Sequence, residues 1–343
     1  DPTRPKKVGG APGPGEGHWA LAQGRKAMLV QTFGGSVIFV DLSRVREPKP
    51  LGFFWDGEWL EYRSRPASWG PYAILARIQS IIALDWQSSR MPPPYFELKG
   101  EGGRSIHHGN FKAFGNWLYV AGRDPAEGRF YLWVYELGRP PRLRATFPLP
   151  SRGGSAWKLE AEGKRLYLLD TREGAIHIYT IEQPHSPRLL GSFSFPSGDL
   201  PRLVSGDGRY SGLAASRGYL YIAPGGRLER EPAFHILDVR DPKGIRYLRA
   251  FRLPRRGWQH SYVDLLARDP YLFGSGYSQI DVFDIRDPSK PRLLTSRRRG
   301  YQWTLGSLWG DYLVVPSLRG LEVFAAPRAS QVPWGEVRAR ALQ

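Results

Sequence analysis

Four of the seven histidines in this 343-residue chain, His18, His107, His108 and His260, share one setting: each stands ahead of an apolar run that stops at a turn signal, Gly24, Gly115 or Asp269. Imidazoles delivered to one place by several such runs can hold a divalent transition metal such as Mn, Fe, Cu or Zn. His107, His108 and His260 form the candidate ligand set, with Gln259 or Gln302 as oxygen donor and water completing an open site suited to lyase or oxidase chemistry. Trp19, Trp157, Tyr210 and Trp303 occupy the same setting in their own segments. The group therefore reads equally as an aromatic and histidine-rich rim that takes a ligand without metal, or as strand ends closed by hydrogen bonds and packing.

Other chemistry has less to stand on. Glu160 and Glu162 alternate with Leu159 and Ala161 and share one strand face, but two acids on one strand do not straddle a substrate as glycosidase carboxylates do. Asp41, Asp85, Asp238 and Asp284 recur just ahead of Pro-containing links, as Asx-turn residues do. The nucleophile elbow Gly-x-Ser-x-Gly, the phosphate loop Gly-x4-Gly-Lys-Ser/Thr and the zinc motif His-Glu-x-x-His are missing, as is an Asp-rich calcium loop. With no cysteine, disulfides, zinc fingers, iron–sulfur clusters and thiol nucleophiles are excluded. No cofactor beyond a transition metal is called for.

The second candidate chemistry is electrostatic. Lys and Arg number 49 against 32 Asp and Glu, a formal charge of +17, which favours polyanions such as an anionic glycan or nucleic acid. The densest basic stretch runs from Arg249 to Gly300 and includes Arg255-Arg256 and Arg297-Arg298-Arg299, with Trp258, Tyr301 and Trp303 nearby. Guanidinium forks beside stacking faces suit single strands or acidic sugar chains. A solvated, solubilising rim is the plainer reading of the same residues.

The elements that must position these groups repeat. One phrase recurs along the chain: an alternating apolar run, a Gly-containing turn, a second run ending near Asp, a Pro-rich link and a third short run. The clearest copies are Tyr271-Leu-Phe-Gly-Ser275 with Ile280-Asp-Val-Phe-Asp284 and Pro291-Arg-Leu-Leu294, then Tyr219-Leu-Tyr-Ile-Ala223 with Phe234-His-Ile-Leu-Asp238, and Leu166-Tyr-Leu-Leu-Asp170 with Ile176-His-Ile-Tyr179. Asp41, Asp85, Tyr135, Tyr179, Asp238, Asp284 and Phe324 mark seven such units at steps of 40 to 59 residues. Each unit has room for four short strands and none for a ten-residue helix. An all-β, seven-bladed β-propeller of four-stranded antiparallel blades is the expected fold, with the rim residues above at one channel mouth.

Ring closure is also legible. Asp1-Pro-Thr-Arg-Pro5-Lys-Lys-Val8 matches Asp287-Pro-Ser-Lys-Pro291-Arg-Leu-Leu294, a link and outer strand without inner strands. Residues near Lys6 to Gly9 should pair with Leu321 to Phe324 and seal the last blade; Val332 to Arg338 is the alternative clasp. The domain reading is 1–17 for the outer closing strand and linker, 18–326 for the propeller, and 327–343 for a tail or closing strand.

The fullest copy, Tyr271 to Leu294, resembles the LVIVD-repeat β-propellers, and the resemblance extends in weaker copies over most of Gly17 to Ala326. Units three, four and seven depart from it by lacking the terminal Asp, and Gly225 to Pro232 is inserted. The resemblance implies an exported or surface-associated protein. Asp1 in place of Met fits a signal peptide already removed, or an excerpt of a longer chain. No apolar run approaches the roughly 18 residues that a membrane-spanning helix requires, so no membrane insertion is expected. Arg outnumbering Lys by 39 to 10, two Asn, two Met and 30 Pro fit a thermophile. The functional expectation is a binding or assembly module for a surface or envelope protein or an anionic polymer, with a metal-dependent enzyme as the alternative.

Overall fold

The computed structural model describes residues 7–12, 19–31, 36–55, 60, 65–77, 79–86, 88, 93–150, 157–171, 173–195, 212–224, 232–253, 262, 264–276, 279–298, 306–309, 312–317 and 320–325. These residues form seven four-stranded antiparallel sheets, each built from consecutive strands except the last. Blades 1 to 6 span residues 19–55, 67–98, 107–148, 157–194, 213–251 and 264–298. The inner strands of neighbouring blades pack against one another from blade 7 through blade 1 to blade 6. This is the seven-bladed β-propeller expected from the repeat.

The apolar alternation has its cause in the packing of blade on blade. Second and third strands are covered on both faces, so Tyr72–Ala76 and Ala175–Thr180 are buried throughout, as strands in the middle of a layered stack must be. Each junction has its own apolar cluster: Met28, Phe39, Leu75 and Trp86 between blades 1 and 2, and Tyr119, Leu132, Leu168 and Tyr179 between blades 3 and 4. Inner and second strands are joined by tight turns in which Gly115 and Gly163 take φ of 56° and 58°, a left-handed conformation that glycine adopts without steric cost.

The outer strands carry a feature that the sequence reading missed. Where the outer strand pairs with the third strand, the register slips by one residue at the same place in blade after blade: between Phe39 and Val40, Val134 and Tyr135, Ile178 and Tyr179, Ile236 and Leu237, and Val282 and Phe283. The extra residues are Leu51, Arg144, Leu190, Leu248 and Leu294. A bulge twists an edge strand and spoils it as a template for another chain, which seven outward-facing edges require.

Blade 7 is completed by both ends of the chain. Its inner, second and third strands are Ser307–Trp309, Tyr312–Ser317 and Gly320–Ala325, and its outer strand is Lys7–Pro12. The pairing runs Lys7 with Phe324, Gly9 with Val323 and Pro12 with Gly320, and the slip falls at Val8. Val8 thus takes the bulge position of Leu294, as the match of the two phrases requires. The expected clasp is present and longer than expected: Gly10–Pro12, which reads as linker by composition, is strand. Glycine and proline are tolerated there because an outer strand needs only one of its edges paired. The alternative clasp, Val332 to Arg338, lies outside the described residues.

Removing residues 1–12 should lower stability by on the order of 3 kcal/mol, taking about 1 kcal/mol per lost backbone hydrogen bond, and expose the third strand of blade 7. Chemical denaturation and light scattering should show an earlier midpoint and self-association of the truncated chain; an unchanged midpoint would contradict the clasp.

Candidate functional site

The inner strands all begin at one mouth of the channel, and several residues singled out by sequence begin them. Trp19 opens the inner strand of blade 1, Trp19–Gln23; His107 and His108 open that of blade 3, His107–Phe114; Trp157 opens that of blade 4, Trp157–Glu162. His18, Tyr210, His260 and Trp303 lie outside the described residues, as do Gln259, Gln302, Arg255, Arg256 and Arg299. Arg297 and Arg298 end the outer strand of blade 6, Arg292–Arg298. Among the described residues no three His, Asp or Glu side chains gather closely enough to hold a metal ion.

Trp157 does not present its ring to the channel. It is 2% exposed, packs in the core between blades 3 and 4, and lies 5.9 Å from the His177 ring. Its repeat position put it at the mouth, but the ring belongs to the face that neighbouring blades bury.

A different pair crosses that mouth. Arg65, just ahead of the inner strand of blade 2, Ala67–Trp69, donates from Nη2 to Oδ1 of Asp264 and to the carbonyl of Leu265, the latter at 3.0 Å. Asp264 opens the inner strand of blade 6, Asp264–Arg268. Blades 2 and 6 are three steps apart around a seven-membered ring, so the contact passes over the channel itself. Asp264 is buried and Arg65 about one quarter exposed, so the pair forms a charged strut at the mouth. Arg65 sits in a stretch without repeat signal, and nothing in its local sequence points to a partner 199 residues away.

The ionisable groups near the blade junctions are held in structural bonds. Glu160 pairs with Lys112 of blade 3. Glu162 accepts hydrogen bonds from the backbone N–H groups of Arg217 and Gly218, the latter at 3.0 Å, and so caps the first turn of blade 5. The two acids thus tie three successive blades together and leave no opposed pair for glycosidic chemistry. His177 is 2.9 Å from the Ser192 hydroxyl, and burial lowers its affinity for a proton; His235 is 3.1 Å from the Tyr247 hydroxyl.

Five consecutive junctions share a further tie, in which a second-strand side chain or its near neighbour donates to a carbonyl in the next blade's third-to-outer turn. Lys26 reaches Trp86 at 3.1 Å, Tyr72 reaches Gly138 at 3.0 Å, Tyr119 reaches Pro184 at 3.2 Å, Arg165 reaches Arg240 at 2.9 Å and Tyr221 reaches Pro288 at 3.2 Å. Burial raises the Tyr119 and Tyr221 hydroxyls well above their ordinary range, so both remain donors.

Three of the four recurring aspartates behave as their spacing implies; Asp85 instead lies 3.6 Å from Arg139 of blade 3. Asp41, Asp238 and Asp284 each accept from the N–H two residues on, at 2.8, 3.2 and 2.9 Å. In blades 5 and 6 the motif is elaborated. Arg240 forks back onto Asp238 while Arg246, opposite it in the outer strand, adds a second guanidinium at 2.6 Å. Arg286 and Arg292 repeat the arrangement on Asp284. Arg240 and then Arg246 hold the Asp238 carboxyl well below the usual range, against an opposing effect of burial. For Asp284 burial opposes ionisation, and Arg286 outweighs it.

Against known proteins, no family model matches the chain, and no curated protein matches it. Solved structures do. A functionally unknown protein from Desulfotomaculum acetoxidans superimposes with a TM-score of 0.62 at 13% identity, covering 88% of this chain and 92% of its own. The WD40 β-propeller domain of Doa1 gives 0.63 at 10% identity, covering 95% and 98%. Sqt1 of Saccharomyces cerevisiae gives 0.55 at 8% identity, covering 94% and 97%. At such identities the likeness establishes the propeller fold and nothing narrower.

Because the folded carboxyls of Asp238 and Asp284 lie below their unfolded values near 3.9, their stabilisation is fully present above about pH 4 and lost as pH falls through the folded values. Denaturation midpoints should therefore drop on acidification below about pH 4. The double variant Asp238→Asn, Asp284→Asn, which keeps the turn acceptor and removes the charge, should be less stable at pH 7 by about 1–3 kcal/mol and show a shallower acid slope. An unchanged slope would sink the assignment.

Proposed function

We propose that this chain is a non-catalytic binding and assembly ring, exported or displayed at a cell surface, whose partner is an anionic polymer or a neighbouring surface protein. The observation that carries the reading is the use of its ionisable interior: Glu160, Glu162, Asp238, Asp264 and Asp284 each serve a blade-to-blade or turn contact, and His177 bonds Ser192 on the neighbouring strand of its own blade. A ring so tied presents rigid loops and rims, and rigidity lowers the ordering cost of binding. The +17 charge supports a polyanion, glycan or nucleic acid, as the ligand class, with Arg255, Arg256, Arg297, Arg298 and Arg299 as the first contacts to test. Export and surface display rest on the LVIVD-like repeat phrase.

Binding of heparin or a single-stranded oligonucleotide should weaken steeply with salt. The triple variant Arg297→Ala, Arg298→Ala, Arg299→Ala should reduce the logarithmic salt slope for the oligonucleotide by about 2, at roughly 0.7 for each phosphate no longer neutralised. Salt-independent capture of a protein partner would favour the surface-protein arm. Stoichiometric transition metal in protein purified without a histidine tag, lost in His107→Ala and His260→Ala, would replace this reading with the metal-dependent enzyme.

A further inference from the structure

The propeller has two faces, and the one opposite the channel mouth discussed above is made of turns. Strand direction puts both the inner-to-second turns and the third-to-outer turns of every blade on this side. The third-to-outer turns are basic at the blade period. Lys49, Arg142, Arg188, Arg246 and Arg292 each open or nearly open an outer strand, paired in register with Asp41, Glu136, Thr180, Asp238 and Asp284.

In blades 5 and 6 the guanidiniums of this set pair with Asp238 and Asp284 while staying largely exposed. Exposed cations in and beside these turns are Arg46 in blade 1, Arg142 in blade 3, Arg188 in blade 4, Lys243 in blade 5 and Lys290 in blade 6. Three of the acids on this face are engaged locally, while Glu47 beside Arg46 is exposed. Asp241 accepts from the Lys243 N–H at 3.0 Å, and Asp287 from the Ser289 N–H at 3.1 Å and its hydroxyl at 2.6 Å. Asp269 meets Arg217 at 3.1 Å. Prolines stiffen the same turns, with Pro48, Pro187 and Pro291 buried, so the cations are carried on a fixed frame.

We propose that this turn face is a docking surface for an anionic phospholipid bilayer. The distribution selects the partner. A linear polyanion follows a track of cations along a groove, and the described cations here do not form one; they are spaced around a broad face, one blade after another. A planar array of phosphates meets all of them at once, and each basic residue near such a surface adds to the attraction within a Debye length. The association is peripheral and electrostatic, in keeping with the lack, among the described residues, of a helix long and apolar enough to cross a membrane. It does not depend on the polymer contacts assigned to Arg255, Arg256 and Arg297–Arg299.

The test is co-sedimentation of the full chain with vesicles of equimolar phosphatidylglycerol and phosphatidylcholine, and with phosphatidylcholine alone. Binding is expected only to the anionic vesicles and should be lost between about 0.05 M and about 0.5 M sodium chloride. The triple variant Arg188→Gln, Lys243→Gln, Lys290→Gln should lower the partition coefficient by roughly 100-fold, at about fivefold per basic residue. The charge-matched variant Arg123→Gln, Arg129→Gln, Arg252→Gln, with substitutions at or beyond the far ends of strands, should lower it by less than about tenfold. Near-wild-type thermal unfolding of both variants makes the comparison valid; if the triple unfolds, Arg188→Gln alone, expected to cost about fivefold, takes its place. No binding to anionic vesicles, equal losses in the two variants, or tight heparin binding through the turn face without vesicle binding would overturn the proposal.

Discussion

A wedge of four strands cannot bury both of its faces alone; it needs a blade on each side, and the last blade needs the first. Every apolar cluster among the described residues lies at such a junction, and the blade that closes the ring is completed by the pairing of Lys7–Pro12 with Gly320–Ala325. That pairing closes the largest loop the chain contains. Once it is made, each remaining junction joins consecutive segments and closes at small entropic cost. The bulge at Val8, matching those in five other blades, shows the N-terminal strand to be an ordinary outer strand contributed from the far end of the chain.

The polar groups follow from the same constraint. Turns at the end of each third strand are where one blade can reach the next, and there the chain places carbonyl acceptors for Lys26, Tyr72, Tyr119, Arg165 and Tyr221; within blades 5 and 6 the Asp238 and Asp284 carboxylates brace the same turns through Arg240, Arg246, Arg286 and Arg292. Each tie between blades contributes only about 1 kcal/mol, but together they fix the angle between blades. Part of the arginine excess is thereby structural. Among the described residues Arg46, Arg142 and Arg188 are exposed on the same turns.

How much of this could be read from sequence divides along physical lines. Period-two alternation, Gly turns and the Asp–Pro phrase are local, so the seven blades, the Asx turns at Asp41, Asp238 and Asp284, and the clasp itself were legible. The bulges were not, because an extra residue in an outer strand leaves the apolar pattern of the phrase intact. Lys26, Tyr72 and Arg165 gave no signal either, since their partners are backbone carbonyls that any residue supplies. The rim was legible only as position: repeat alignment put Trp157 at the start of an inner strand, but whether its ring faces the channel or the next blade depends on packing that period alone does not specify. Arg65 and Asp264 meet across the channel, and no repeat encodes a contact between blades three steps apart.

The central claim, that a clasp between the chain ends holds one closed ring, is read most directly by amide hydrogen exchange on the intact protein. If the clasp holds the ring, the paired amides of 7–12 and 320–325 exchange as slowly as those of the second strands in blades 2 to 6, through the same global opening. Fast, independent exchange of 7–12 with the blades still protected would contradict it, and would mean that the ring stands without its clasp.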